Sequence, residues 1–424
     1  MKFQESPYLL KNIATGRTFE DTGWLLSDPD YPQPSLIRTL YQKKQLCVKE
    51  ESYGFFRFAD WLPVKRYLCH AAPPVTYLGK ELGKRLGIER LYITFNGYWP
   101  QKGALMETCS FKETEAYAVC GRMEEIFDKT LVVASAGNTA RAFARVCSDN
   151  HIPLLLCVPY DNLDALWFGS PVDKCVRLVC TPKGSDYYDA IRLSQTICQL
   201  DGFVEEGGAR NVARRDGMGT TVLCAATHMG AIPDYYVQAV GSGTGAIAAW
   251  EANLRLLEDG RFGQDVMKLI AVQNHPFTPM YNAWKAGSRS LLPCEDDTAR
   301  LQIHEIEAKV LSNRKPPYAI PGGLFDALSW SQGVMCTVTN QEIAQATTLF
   351  EATEGIDIHP AATAALAGLH KEVTKGSVER GKIVMLNITG GGENLFRGGR
   401  RLYYLQPNHI LPADAPVEAL RRIL

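Results

Sequence analysis

After a first apolar run at 91–95, short apolar runs alternate from residue 112 to about 275 with longer stretches in which apolar positions recur at helical spacing. The runs predict strands at 91–95, 131–134, 153–158, 175–180, 235–240 and 268–273. Between them the spacing predicts helices at 112–127, 138–147, 185–200, 217–228 and 244–258, with a short helix ahead of the strand at 175. Strands alternating with helices of this length imply an α/β protein with a parallel, doubly wound sheet. Outside this region the pattern is weaker. Residues 1–90 are irregular, with helix character only over 75–88, and 275–335 is rich in Pro, Asn and Gly and resists assignment. Regularity returns with helices at 340–353 and 360–375 and a strand at 382–388, while the last fifteen residues form a tail or a small capping helix. No internal repeat or low-complexity tract interrupts the chain.

Composition narrows the class. With 424 residues and 46% apolar content, the chain can build two domains, or one large domain with a lobe. A net charge of −1 without a basic stripe argues against a nucleic-acid surface. The N-terminus has no apolar signal core and no run is long enough for a membrane span, so a cytoplasmic protein with no membrane partner is expected. The twelve cysteines form no Cys-x-x-Cys, and Cys157 lies in an apolar run, which fits free core thiols in a reducing compartment. The eight histidines are equally dispersed, so no metal site is expected.

Candidate chemistry collects at strand-to-loop junctions, where open α/β sheets bind ligands. Lys112 follows the turn-rich stretch from Phe95 and opens a helix that Ser110 can cap. An amine there, partly desolvated beside the positive helix end, loses proton affinity and becomes able to attack an aldehyde. The alternative is an ordinary surface lysine. In the loop Ser135, Ala136, Gly137, Asn138, Thr139, backbone N–H groups can converge on a carboxylate and the Asn138 amide can meet a phenolate oxygen; simple helix capping is the competing account. Gly241, Ser242, Gly243, Thr244 and Gly245 suit one phosphate at a helix N-terminus. A dinucleotide is disfavoured because Leu257–Arg261 reads as a turn, where a second strand ending in an acid is required. Arg210, Arg214 and Arg215, flanked by glycines, form a possible anion clamp or a solvated cluster. Thr389, in a Gly-rich loop after a buried strand, can offer a hydroxyl to a heteroaromatic nitrogen or simply sit in a turn. Together these parts make the kit that pyridoxal phosphate requires.

From about Phe56 to Ile388 the sequence resembles the fold-type II pyridoxal-phosphate enzymes, and within them the cysteate synthase branch of the threonine synthase-like group. The most specific stretches are Phe95–Met106, Gly207–Thr220 and Ala239–Gly245. Threonine synthases place Asn-Pro-Thr-Gly before Ser-Phe-Lys, and this chain does not. Many relatives open with a Cys-x-x-Cys knuckle that is missing here, and His359 stands where threonine synthases carry an acid.

The resemblance implies a tryptophan synthase β-like fold, two doubly wound open sheets with the active site between them. Residues 1–90 would lead in, 91–130 and 230–424 would form the large cofactor domain, and 131–229 a small mobile one. It implies Lys112 as the Schiff-base lysine, Asn138 on the cofactor's 3-oxygen, Gly241 through Gly245 on its phosphate and Thr389 at its ring nitrogen. Ser135 through Thr139 would bind the amino-acid carboxylate. A neutral hydroxyl at the ring nitrogen suits elimination and replacement better than transamination. The implied partners are an amino-acid phosphate and an anionic nucleophile, within a homodimer. The implied reaction is β-replacement on O-phospho-L-serine with sulfite, giving L-cysteate and phosphate; Arg210, Arg214 and Arg215, from the arginine cluster, are the candidate cations for the departing phosphate. The rivals are threonine synthase chemistry on O-phosphohomoserine, replacement by another nucleophile, and a non-catalytic binder of pyridoxal phosphate or an amino acid.

Overall fold

Strands buried on both faces need continuous apolar runs, and in the computed structural model, which describes residues 3–124 and 128–424, the expected runs become the centres of two sheets. In chain order, Val75–Leu78 (β1) and Leu91–Phe95 (β2) precede helix Lys112–Arg122 (α1). Then come Thr130–Ala134 (β3), helix Asn138–Asp149 (α2), Leu154–Pro159 (β4), Val176–Thr181 (β5), helix Tyr187–Ile197 (α3) and Phe203–Glu205 (β6). Helix Val212–Met229 (α4) leads to Tyr235–Ala239 (β7), helix Thr244–Asp259 (α5), Lys268–Asn274 (β8) and Val334–Val338 (β9). Helices Asn340–Glu354 (α6) and Pro360–Thr374 (α7), strand Val384–Ile388 (β10) and strand His409–Ile410 (β11) complete the frame.

One sheet has six strands in the order β9-β8-β7-β10-β2-β1, parallel except for β1 at its edge. The other has five parallel strands in the order β6-β3-β4-β5-β11. Each has its own core. Val237, Val272, Leu386 and Leu366 meet on the large sheet, and Leu131, Leu154, Leu156 and Phe143 on the small one. This is the two-sheet architecture the resemblance implies.

Several expectations are corrected. Residues 75–88 are not one helix: Val75–Leu78 is an edge strand and only Lys80–Leu86 is helical. The N-terminal region is less irregular than it reads, because Tyr8–Asn12 pairs with both Thr18–Phe19 and Ile37–Tyr41. The segment 275–335 holds helices Pro279–Lys285, Asp296–Glu305 and Leu324–Trp330 besides β9. The end of the chain crosses over: β11 pairs with β5 of the small sheet instead of joining the large one, and Leu420 of helix Val417–Ile423 joins the core of α3. Part of the helix expected over 112–127 falls at 125–127, outside the described residues. All twelve cysteines are free, and no helix among the described residues is long and apolar enough to cross a membrane.

Candidate active site

Lys112 opens α1 directly after Ser110, whose Oγ accepts the Lys112 N–H at 3.3 Å. The loop after β10 pins this helix start. Phe111 N donates to Thr389 O at 3.0 Å, and Ser110 forms a bridge with Gly390. Lys112 and Thr389 are thereby fixed on neighbouring backbones, the lysine side chain about one-fifth exposed. Burial lowers its proton affinity and Arg214 lowers it further, against the opposing pull of Glu115.

Around them lies a cavity of about 570 Å³ between the two sheets, lined by Lys112, Ser135 through Thr139, Arg210, Arg214, Gly241 through Gly245 and Thr389. Fourteen of the fifteen residues singled out in the sequence therefore converge on one space. Ser135 Oγ accepts from Gly137 N at 3.1 Å and Ala140 N at 3.0 Å, which folds the loop tightly and leaves its hydroxyl proton free to face a ligand. Asn138 Oδ1 takes a bond from Arg141 Nη2 at 3.1 Å, leaving the amide nitrogen as the free end. At the second loop, Gly243 has φ +80°, a left-handed turn into α5 that glycine adopts without strain. Gly241 packs so closely that a Cβ would lie 2.9 Å from Val310 O. Ser242 and Thr244 hydroxyls are 2.9 Å apart at the helix start, where Thr244 N donates to Ser242 Oγ at 3.3 Å.

The arginines separate into three environments. Arg210 is nearly half exposed and paired with Glu205. Arg214 is clamped: Nε and Nη2 donate to Glu115 at 3.0 and 2.6 Å, and Nη1 donates to Glu206 at 2.7 Å. Arg215 is the correction to the expected clamp. It is fully buried, turned away from the cavity, and bound to Glu251 and to the carbonyls of Ala209 and Ile37. Consecutive helical residues point about 100° apart, so Arg214 and Arg215 cannot share a face.

Three further groups were not identified from the sequence, and a fourth, His359, stood out there only as a departure from the threonine synthases. Glu115 lies three residues beyond Lys112, on the same helix face, a spacing that could have found it. Glu206 lines the cavity just before Gly207. Arg141, one turn after Asn138, also donates to Thr108 O and Ala165 O, and lies 4.0 Å from Glu393. His359, also at the wall, contacts Glu393 with Nε2 at 3.1 Å. Burial would raise the Glu393 carboxyl, but the His359 bond and the Arg141 charge outweigh it and bring it to about 2. By contrast, the stretch from Asn96 to Gly103, so specific to the branch resemblance, builds a hairpin (Tyr98–Trp99 with Ala104–Leu105) and lies outside the cavity lining. Among the described residues no group of three or more His, Cys, Asp or Glu is placed to hold a metal.

The cavity fits pyridoxal phosphate in size and in donor set. It offers an amine of lowered proton affinity, a helix N-terminus with two hydroxyls for one phosphate, and a buried threonine in its lining. The sequence model of the family described as pyridoxal-phosphate dependent enzyme matches residues 89–390. Cysteate synthase of Methanosarcina acetivorans is 44% identical over 98% of this chain and 99% of its own. That of Methanocella paludicola is 49% identical over 92% of this chain and 90% of its own. Maize serine racemase shares the fold at a TM-score of 0.59 and 14% identity, covering 76% of this chain and 89% of its own. Threonine deaminase isoform 2 of Solanum lycopersicum does so at 0.55 and 17%, covering 76% and 84%. The chain belongs to the pyridoxal-phosphate dependent enzymes, in the group formed with the cysteate synthases, and pyridoxal phosphate is its cofactor.

Proposed function

We propose that the chain replaces the phosphate of O-phospho-L-serine with sulfite, giving L-cysteate and phosphate. The observation that carries this reading is the near full-length similarity to cysteate synthases, supported by a cavity that offers separate places for a carboxylate and for a second anion. When bound, pyridoxal phosphate supplies the electron sink that lets the Cα proton and then the β-substituent leave. Lys112 is the residue whose Nζ would hold the cofactor covalently, and its amine would then be the base that moves the Cα proton. The N-terminus of α5, with Ser242 and Thr244, holds the cofactor phosphate. Asn138, with its free amide nitrogen, would hold the ring oxygen, and Thr389, with its neutral hydroxyl, would hold the ring nitrogen. Ser135 through Thr139 bind the amino-acid carboxylate. Arg210 and Arg214 are the cations offered to the departing phosphate.

Loaded enzyme given O-phospho-L-serine or O-phosphohomoserine, each with and without sulfite, tests the reading by phosphate release and amino-acid analysis. Cysteate from phosphoserine and sulfite is expected. Phosphate released only from phosphohomoserine overturns it in favour of threonine synthase chemistry. Borohydride trapping followed by peptide mapping is expected to place the pyridoxyl group on Lys112.

A further inference from the structure

Glu206 is only 5% exposed, yet its hydrogen bonding is incomplete. Oε2 accepts from Gly208 N at 3.0 Å and from Arg214 Nη1 at 2.7 Å. Oε1 is buried and has no hydrogen-bond partner among the described residues. A buried carboxyl oxygen without a donor carries its full desolvation cost, and a proton or a ligand donor relieves it. Burial and the neighbouring Glu115 carboxylate favour the proton, against the pull of Arg214 and Lys112. Glu206 faces Arg214 from α4, Lys112 and Glu115 from α1, and Tyr187 from α3. Two carboxylates share the Arg214 guanidinium, and Glu115 takes its bidentate side. Although burial opposes it, Glu115 is held ionised by Arg214 and Lys112, whereas burial raises the proton affinity of Glu206 above the ordinary carboxylate range.

On the phosphate-for-sulfite reading, one proton has no carrier yet. Hydrogensulfite brings a proton that the sulfonate product lacks. The phosphate ester dianion needs one to leave, because without it the group would depart as the far more basic trianion. Lys112 is occupied with the Cα proton, which must return to carbon after the nucleophile has added. We propose that Glu206, which lines the cavity, carries this second proton on its carboxyl, passing it from the incoming hydrogensulfite to the outgoing phosphate. As the Cβ–O bond breaks, Glu206 protonates the phosphate oxygen that takes the electron pair, and Arg214 holds the resulting carboxylate. Hydrogensulfite then returns a proton to Glu206, and the sulfur lone pair forms the Cβ–S bond. One C–O and one S–H bond are exchanged for one C–S and one O–H bond, and both Glu206 and Lys112 end as they began.

The test compares wild-type holoenzyme with Glu206→Gln and Glu206→Asp, after cofactor absorbance and the borohydride adduct at Lys112 have shown which variants load. Sulfate, an anion that does not titrate near neutrality, is the probe, with proton uptake read by calorimetry in buffers of different ionisation heat. At a pH high enough that Glu206 of the free enzyme has lost its proton, wild type is expected to take up about one proton per sulfate, because the bound anion raises the proton affinity of Glu206 further, and Glu206→Gln none. Phosphate release from phosphoserine with sulfite is expected to fall at least about a hundredfold in Glu206→Gln and to recover partly in Glu206→Asp. Should Glu206→Gln fail to load, Glu206→Asp supplies the comparison, with a shifted pH dependence of uptake expected. No proton uptake in wild type, uptake unchanged by substitution, or wild-type release from the glutamine variant overturns the proposal. A wild type that takes up the proton on sulfate but makes no cysteate overturns the reaction reading instead, and leaves Glu206 as the proton-holding group of the anion site.

Discussion

Glu115 Oε2 lies 3.3 Å from Lys112 Nζ while the same carboxylate binds Arg214 with both oxygens. Burial and Arg214 drive the lysine toward its neutral, nucleophilic form, and Glu115 opposes them. Removing the carboxylate charge while keeping its shape leaves the first two effects unopposed. In Glu115→Gln the pH at which cofactor loading is half complete is therefore expected to move down, measured by absorbance across a pH series. An unchanged or higher midpoint would exclude Glu115 from setting the lysine's protonation.

The contrast between Lys112 and Glu115 also marks what a sequence discloses. Strands such as Leu154–Pro159, buried at every position, read directly because a parallel strand covered on both faces is a continuous apolar run. Val75–Leu78 was hidden because it is an edge strand whose apolar residues merge with the helical spacing of Leu78, Leu82 and Leu86. Helix α4 starts at Val212, capped by Asn211, five residues before the predicted start. Its Gly217 reads as a breaker, yet it is where α4 packs on α1, with an added Cβ only 2.3 Å from Thr114 O. The cofactor loops were legible because glycine and hydroxyl residues at strand ends have a local meaning. The two carboxylates that set the charge of Lys112 and Arg214, Glu115 on α1 and Glu206 just past β6, meet the arginine of α4 only when the sheets are assembled.

Arg215 is a structural residue despite its place in the arginine cluster. Its guanidinium and the Glu251 carboxylate are 0% and 1% exposed, so removing the arginine leaves a buried carboxylate paired with Arg38 and facing Arg255. Arg215→Ala is expected to lower stability by about 3 kcal/mol, measured by denaturant unfolding, while the folded fraction keeps its KM for phosphoserine. Arg210→Ala, at a half-exposed side chain in the cavity wall, is expected to do the reverse: stability within about 0.5 kcal/mol of wild type and a raised KM.

Glu113, next to Lys112 but on the opposite side of α1, makes stability depend on pH. Burial raises its carboxyl from 4.5 to about 7, even though Thr108 N, Thr108 Oγ1 and Tyr117 OH all donate to it. Between those two values the folded state holds a proton that the unfolded state has lost. Its contribution is therefore complete below the unfolded value and fades as pH rises through about 7. Relative to Glu113→Gln, wild type is expected to lose ~3 kcal/mol of stability between acid and neutral pH, a difference that cancels the other titrating groups. Parallel curves for the two proteins in pH-dependent unfolding would show that Glu113 does not titrate in this range.

Across the cavity mouth, the segment around residues 296–315 is tied to the start of α3 on the small sheet. Arg314 reaches Asp186 at 2.9 Å, Arg300 reaches the same carboxylate at 3.2 Å, and Lys315 Nζ donates to Tyr188 OH at 2.9 Å. Asp186 also caps α3 through Tyr188 N and Asp189 N, so the cation sits on the carboxylate that starts that helix. Because Asn313, Lys315 and Tyr187 line the cavity, these pairs hold two of its walls together. Each pair is partly exposed and open to screening by salt, so the tie is worth about 1 kcal/mol or less at moderate ionic strength. Arg314→Ala is accordingly expected to raise KM for the phosphorylated substrate up to about fivefold at low salt, with kcat changed less. Added salt should raise the wild-type KM toward that of the variant, because screening removes the same attraction that the substitution removes. Steady-state kinetics over an ionic-strength series checks this. Two KM curves that rise in parallel, without converging, would show that the ion pairs do not hold the walls and that salt acts directly on the anionic substrate.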